Sequence, residues 1–306
     1  MTVENLKSRI TQLTETGEID VVGFADASPF NDYAWQKLKR RDPNLSLQNA
    51  KSIIVAGIYI GGVKLPAWDK PWYGRTSRLY LSGYFLDAVE PMQPIAAMLR
   101  DAGYQALVCD ETNEESSILP LKLAAVRAGI GWQGKHTLLI SKKFGTFLAL
   151  GGIITDAKFE NNTSEERNRC RECGKCQEAC PVGALETPYV LNMKKCMSYR
   201  LQVDNLPDRI KAVMQNRVAD CEICQDACPW NAKHIKHPLQ TRLTKSFQNN
   251  IYDWESFFHL PQLIKLSEKE YVERLGRLNT DIPYQYFHRN VSLALNHNRA
   301  AFPPAL

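Results

Sequence analysis

Cys170-Arg-Glu-Cys173-Gly-Lys-Cys176-Gln-Glu-Ala-Cys180-Pro181 and Cys221-Glu-Ile-Cys224-Gln-Asp-Ala-Cys228-Pro229 hold seven of the nine cysteines, and Cys196 between them is the eighth. The first run has the spacing of bacterial two-cluster ferredoxins. There, three closely spaced thiolates bind three irons of a [4Fe–4S] cube and the fourth, before proline, ligates the other cube. The second run then reciprocates. Cys228 completes the cluster of Cys170, Cys173 and Cys176, and Cys180 completes that of Cys196, Cys221 and Cys224. Paired Cys₄ zinc sites also use Cys-x-x-Cys, but they rarely carry the compact four-cysteine run ending in Cys-Pro. A disulfide framework belongs to short secreted chains. The spacing therefore predicts two [4Fe–4S] clusters and transfer of electrons one at a time.

At 306 residues the chain is long enough for one large or two smaller domains. Lys plus Arg number 38 against 33 Asp plus Glu, an excess of 5 that permits an RNA partner without requiring one. The first twenty residues are polar and lack an apolar signal core, and no stretch approaches a membrane span, so a cytoplasmic protein free of the membrane is expected.

Helices and strands are both expected ahead of the cysteines. Helical spacing of Leu6, Ile10 and Leu13 predicts a helix over 4–16, and strands follow at 21–25 and 52–60. Trp68, Trp72, Tyr73, Tyr80 and Tyr84 crowd one segment, either as core aromatics or as walls for a planar ligand. A helix is expected over 88–102 and a strand over 104–109, where Cys109 reads as a small core residue. A helix over 119–128 enters Ala128-Gly129-Ile130-Gly131-Trp132-Gln133-Gly134-Lys135-His136-Thr137, and strands over 138–141 and 147–155 follow. The glycines sit between helix and strand, the reverse of a dinucleotide fingerprint, and are expected to let backbone approach a bulky ligand. Residues 231–248 are basic and polar, and helices are expected over 268–278 and 288–297.

The glycine loop, the ferredoxin run, Tyr189-Val190-Leu191 with Lys195-Cys196-Met-Ser198-Tyr199, the Cys221 to Asn231 run and Arg289-Asn290 together resemble epoxyqueuosine reductase. That family comprises cytoplasmic, cobalamin-dependent iron–sulfur enzymes of tRNA modification. The likeness extends from about Ser52 onward. It implies an α/β (α+β) class, with a nitroreductase-like cobalamin-binding domain at 1–160, a two-cluster ferredoxin-like domain at 161–240 and a C-terminal helical segment at 241–306 packing on the core. It also implies a base-off corrinoid in the cleft between the first two. Trp132, Gly134, Lys135, His136 and Thr137 would bind the corrinoid, and a carboxylic acid would protonate the departing epoxide oxygen. Here the sequence departs from the family. Counting back from Gly129 gives Glu115 as the acid, counting forward from the strand gives Asp110, and the family's Asp-Tyr-His stretch falls on Tyr84-Phe85-Leu86. Implied partners are a tRNA anticodon stem-loop and an electron donor such as a flavodoxin or ferredoxin, with the enzyme a monomer.

Two other readings stay open. A reductase of a small molecule resembling the reductive dehalogenases would use Tyr80 or Tyr84 as proton donor. An iron–sulfur electron carrier serving another protein's corrinoid needs only the Cys170 to Cys228 region.

Overall fold

The computed structural model describes residues 2–31, 41–82, 90–109, 118–161, 167–249, 255–275 and 282–301. The chain divides into two compact units. One comprises Met1–Tyr59, Leu86–Gly134 and Leu138–Arg171, and the other Ile60–Phe85, Lys135–Thr137 and Glu172–Leu306.

The first unit is built on an antiparallel sheet of β1 (Val21–Asp26), β2 (Ser52–Tyr59), β3 (Ala106–Cys109) and β6 (Leu148–Thr155), in the order β1-β2-β6-β3. Every residue of β2 is buried. Successive side chains of a strand point to opposite faces, so a strand buried throughout needs a cover on both. Ile53 and Val55 enter a core with helix Leu121–Arg127, while Ile54 and Ala56 enter another with helices Val3–Thr16 and Met92–Asp101. The unit is therefore three layers, with the sheet in the middle. Leu6, Ile10 and Leu13 are the buried stripe of the first helix, as their spacing predicts, and Cys109 lies in the core.

The loop after helix Leu121–Arg127 departs from expectation. Gly129 takes φ 73°, the left-handed conformation that ends a helix. Gly131 precedes β4 (Trp132–Gln133), which pairs with β5 (Leu139–Ile140) in a short hairpin. A β-carbon on Gly131 would lie 2.1 Å from the Ile140 carbonyl oxygen. These two glycines serve the protein's own turn and close strand approach.

The second unit has short helices. Two of them, Lys175–Glu178 and Ile223–Asp226, carry Cys176 and Cys224 and pack against each other. Their hydrogen bonds correspond one to one. Gln177 N–H donates to Gly174 O, Ala179 to Lys175 O and Cys180 to Gln177 O. In the second copy Gln225 donates to Glu222 O, Ala227 to Ile223 O and Cys228 to Gln225 O. The matching sequence Cys-x-x-Cys-Gln-acid-Ala-Cys-Pro folds the same way twice, and proline after the last cysteine bars helix continuation.

What fixes the second copy is an ion-pair network with the segment that precedes it by some 140 residues. Arg78 and Glu222 are 1% and 2% exposed. Their side chains pair directly, the Arg78 backbone N–H donates to the other Glu222 carboxylate oxygen at 3.0 Å, and Arg78 Nε reaches Gly61 O at 3.3 Å. Arg75 pairs with Asp226 and, at 3.1 Å, with Asp69. Ser77 Oγ donates to Asp220 at 2.5 Å, and the other Asp220 oxygen accepts from Cys221 N–H at 2.6 Å. Helix Tyr284–Ala301 adds a second clamp. The buried Asn290 amide donates to Leu201 O at 2.8 Å and Val218 O at 3.0 Å, and Arg289 reaches Val203 O at 2.8 Å. The polar 231–248 segment also holds two helices, Ala232–Lys236 and Arg242–Asn249.

Gly131→Ala should destabilise the first unit by about 1–3 kcal/mol, the usual cost of forced overpacking, read as a lower denaturation midpoint. Arg78→Met should cost about 3–5 kcal/mol, because it strands a buried carboxylate. Burial already holds the Glu222 carboxyl above the usual range against the opposing charge of Arg78. The folded state of the variant therefore binds a proton more readily than the unfolded chain, so its deficit should shrink as pH falls from 8 towards 5. Urea titrations at both values check the sign, and Arg78→Met/Glu222→Leu should recover most of the loss.

Candidate functional site

The four thiols expected on one cluster share a neighbourhood inside the second unit. Burial pushes the Cys224 thiol well above its ordinary range, and the charges of Cys221, Cys196, Cys180 and Cys176 push in the same direction. Cys221 is driven up to about 12 by burial, with Asp220 and Cys196 adding to it and Arg217 opposing. Cys196 is raised by burial, with Asp220 and Cys180 adding, although the Tyr199 and Ser198 backbone N–H groups favour its thiolate. Thiols gathered so that each disfavours its neighbours' ionisation are a donor set suited to a polycation. Among the described residues no group of three or more His, Cys, Asp or Glu is placed to hold a single metal ion.

Of the other cluster's expected ligands, Cys176 and Cys228 are 8% and 6% exposed and Cys173 is half-buried, all in the second unit. Cys170 is the penultimate residue of the first unit, where its N–H donates to Asn168 Oδ1 at 2.9 Å. No disulfide joins any of the nine cysteines, all of which are among the described residues.

The glycine-loop residues part company. Trp132 is 1% exposed within the β4–β5 hairpin, and Gly134 N–H donates to Leu138 O at 2.8 Å, closing the turn. Lys135, His136 and Thr137 cluster with the second unit. His136 is buried at 3%, Thr137 takes the left-handed φ of 71°, and Lys135 is half-buried with its carbonyl accepting from Tyr189 N–H at 2.9 Å. Lys135 and Thr137 thus offer partly exposed donors, while Trp132 and His136 lie inside the protein. Asp110, Glu115 and Tyr84 lie outside the described residues. Trp68 and Tyr80 are buried core residues, 0% and 7% exposed.

The acids Asp220, Glu222 and Asp226 and their partners Ser77, Arg78 and Arg75 escaped the sequence reading. Their only sequence signal is the acid shared by the two half-motifs, Glu178 and Asp226.

Residues 169–231 match the family described as a 4Fe-4S double cluster binding domain. Over 237 residues the chain is 31% identical to the epoxyqueuosine reductase of Bacillus anthracis, a stretch covering 69% of this chain and 60% of that one. A Synechococcus epoxyqueuosine reductase is 31% identical over 198 residues, 60% of this chain and 57% of the relative. The chain thus spans about three fifths of the length of these curated relatives. An epoxyqueuosine reductase solved with an epoxyqueuosine-modified tRNA-Tyr stem loop superposes with a TM-score of 0.79 at 25% identity, covering 98% of this chain and 83% of that one. A reductive dehalogenase structure bearing on B12-dependent dehalogenation shares the fold at a TM-score of 0.51 and 18% identity, over 79% of this chain and 35% of its own. No helix of the described residues is long and apolar enough to cross a membrane. The chain is a relative of the epoxyqueuosine reductases, built on their fold and carrying a 4Fe-4S double cluster binding domain.

Proposed function

We propose that the protein is a cobalamin-dependent iron–sulfur oxidoreductase that reduces epoxyqueuosine to queuosine in tRNA. The observation that carries the reading is the gathering of the half-buried Cys180, Cys196, Cys221 and Cys224 in one neighbourhood, in a chain related to epoxyqueuosine reductases.

Removing an epoxide oxygen as water consumes two electrons and two protons. A corrinoid, when bound, supplies a strongly reducing, nucleophilic cobalt centre that no side chain matches. The cysteines hold the clusters that deliver the electrons singly, with Cys170, Cys173, Cys176 and Cys228 on one and Cys180, Cys196, Cys221 and Cys224 on the other. Lys135, His136 and Thr137 would hold the corrinoid, Lys135 and Thr137 as its partly exposed donors, with Trp132 packing near it and Gly134 closing the turn. Glu115, or Asp110 in its place, gives a proton to the departing oxygen, a role that needs its pKa lifted towards neutrality. In this reading residues 1–160 serve the corrinoid, 161–240 the clusters and 241–306 pack against them, in a cytoplasmic monomer. A tRNA anticodon stem-loop is the substrate, and a flavodoxin or ferredoxin is the donor.

Anaerobic reconstitution should give about eight irons per chain, and Cys224→Ala should bring this down to about four. Iron analysis checks this, and two intact clusters in the variant would refute the ligand assignment. Glu115→Gln should leave cobalamin binding unchanged by absorption titration while slowing turnover of an epoxyqueuosine-modified stem-loop by about 10²–10⁴-fold. An unaltered rate would move the proton donor to Asp110.

A further inference from the structure

Seven large apolar side chains stand exposed among the described residues, and four of them, Tyr189, Val190, Leu191 and Met193, fall within five positions. Residues 186 to 194 are exposed without a break. This is nevertheless a built segment. Tyr189 N–H donates to Lys135 O at 2.9 Å, Val190 to Thr187 O at 3.1 Å and Asn192 to Ala184 O at 2.9 Å. Tyr189 adopts φ 66°, a conformation that residues with a β-carbon take up at some cost. A hydrogen-bonded turn that keeps four apolar side chains in water marks a surface that becomes covered in a complex.

Its position says by what. Met193 is 55% exposed, and its carbonyl accepts from Cys196 N–H at 3.1 Å. One hydrogen bond thus separates the apolar surface from the backbone of an expected cluster ligand. The rim is cationic. Lys194, Lys195 and Arg200 stand against Glu186, which Lys195 engages at 2.6 Å, so three positive charges less one leave an excess of two. Arg200 Nε donates to Lys194 O at 2.7 Å, tying the rim to the turn.

We propose that this turn is the docking surface for an acidic one-electron donor protein, and that electrons enter at the cluster expected on Cys180, Cys196, Cys221 and Cys224. In each encounter a reduced flavin or iron–sulfur protein loses one electron and the cluster gains it, with no bond made or broken. An apolar centre with a charged rim is the anatomy of small, transient redox interfaces, and opposite charge speeds encounter. RNA would call for cations along the whole track of its backbone, whereas the centre here is apolar. The proposal rests on the cluster reading above, and iron content tests that reading separately.

The experiment uses the reconstituted full chain, with iron near eight confirmed first, mixed anaerobically in a stopped-flow instrument with reduced flavodoxin, with reduced plant-type ferredoxin or with dithionite. Bleaching of the cluster absorbance is followed. Leu191→Ser/Met193→Ser should slow reduction by the better protein donor at least tenfold and leave the dithionite rate unchanged. Lys194→Glu should slow the same reaction and flatten its decline with added salt. Equal rates for wild type and variants with both protein donors would overturn the proposal. So would an equal slowing with dithionite. Weaker binding of cobalamin, of a stem-loop RNA or of a second copy, with the donor rate intact, would assign the turn to that occupant instead and also overturn it.

Discussion

A single buried ion pair organises the cysteine-bearing unit. Arg78 and Glu222 are both almost wholly withdrawn from solvent, and Glu222 lies one residue after Cys221 and two before Cys224. Desolvating two charges costs several kcal/mol each, which their attraction offsets only when geometry is good and the remaining hydrogen-bonding capacity is filled. Here it is filled: Glu222 accepts from the Arg78 backbone as well as its side chain, and Arg78 Nε finds Gly61 O. The pair contributes little net stability. Its contribution is position, because no apolar substitute would tie the turn between two ligands so specifically to residues 61–78.

The neighbouring contacts work in the same way. Asp220 holds Cys221 N–H and Ser77, Asp226 holds Arg75, and Asn290 links Leu201 to Val218. Helix Met197–Leu201 begins directly after Cys196, and Val218 lies three residues before Cys221. Cys196 and the Cys221–Cys228 run, two separate stretches of chain, are thereby referred to one frame. The helix of the first half-motif is held by its own turn bonds and by Gln177 reaching Leu185 O at 2.8 Å.

The parts of the molecule that were legible in the sequence are those encoded locally. Cysteine spacing gave the cluster assignment its form because ligand position is set by turns of fixed length. The apolar runs at 21–25, 52–60 and 147–155 predicted strands, most clearly at β2, where burial on both faces leaves almost no polar positions. In the glycine loop the sequence marks close approach without naming the neighbour, and at Gly131 the neighbour is the partner strand, with Ile140 O 2.1 Å from where a β-carbon would lie. Arg78 and Glu222 were illegible for a different reason. They are separated by 144 residues in sequence, and nothing local to either marks it as buried.

The thiols lead to a last point about assembly. In the folded chain burial, with neighbouring thiols adding, raises the Cys221 and Cys224 thiols above their ordinary range. An isolated cysteine is easier to deprotonate. The fold therefore opposes the thiolates that iron requires until iron is there to compensate them, so metal binding and final packing of this neighbourhood are thermodynamically linked. Scaffold contacts that do not involve sulfur, such as Arg78 with Glu222 and Asn290 with its two carbonyls, are then what can hold the frame before the clusters arrive. This explains why so much polar, exacting structure sits beside ligands that a cluster would organise by itself.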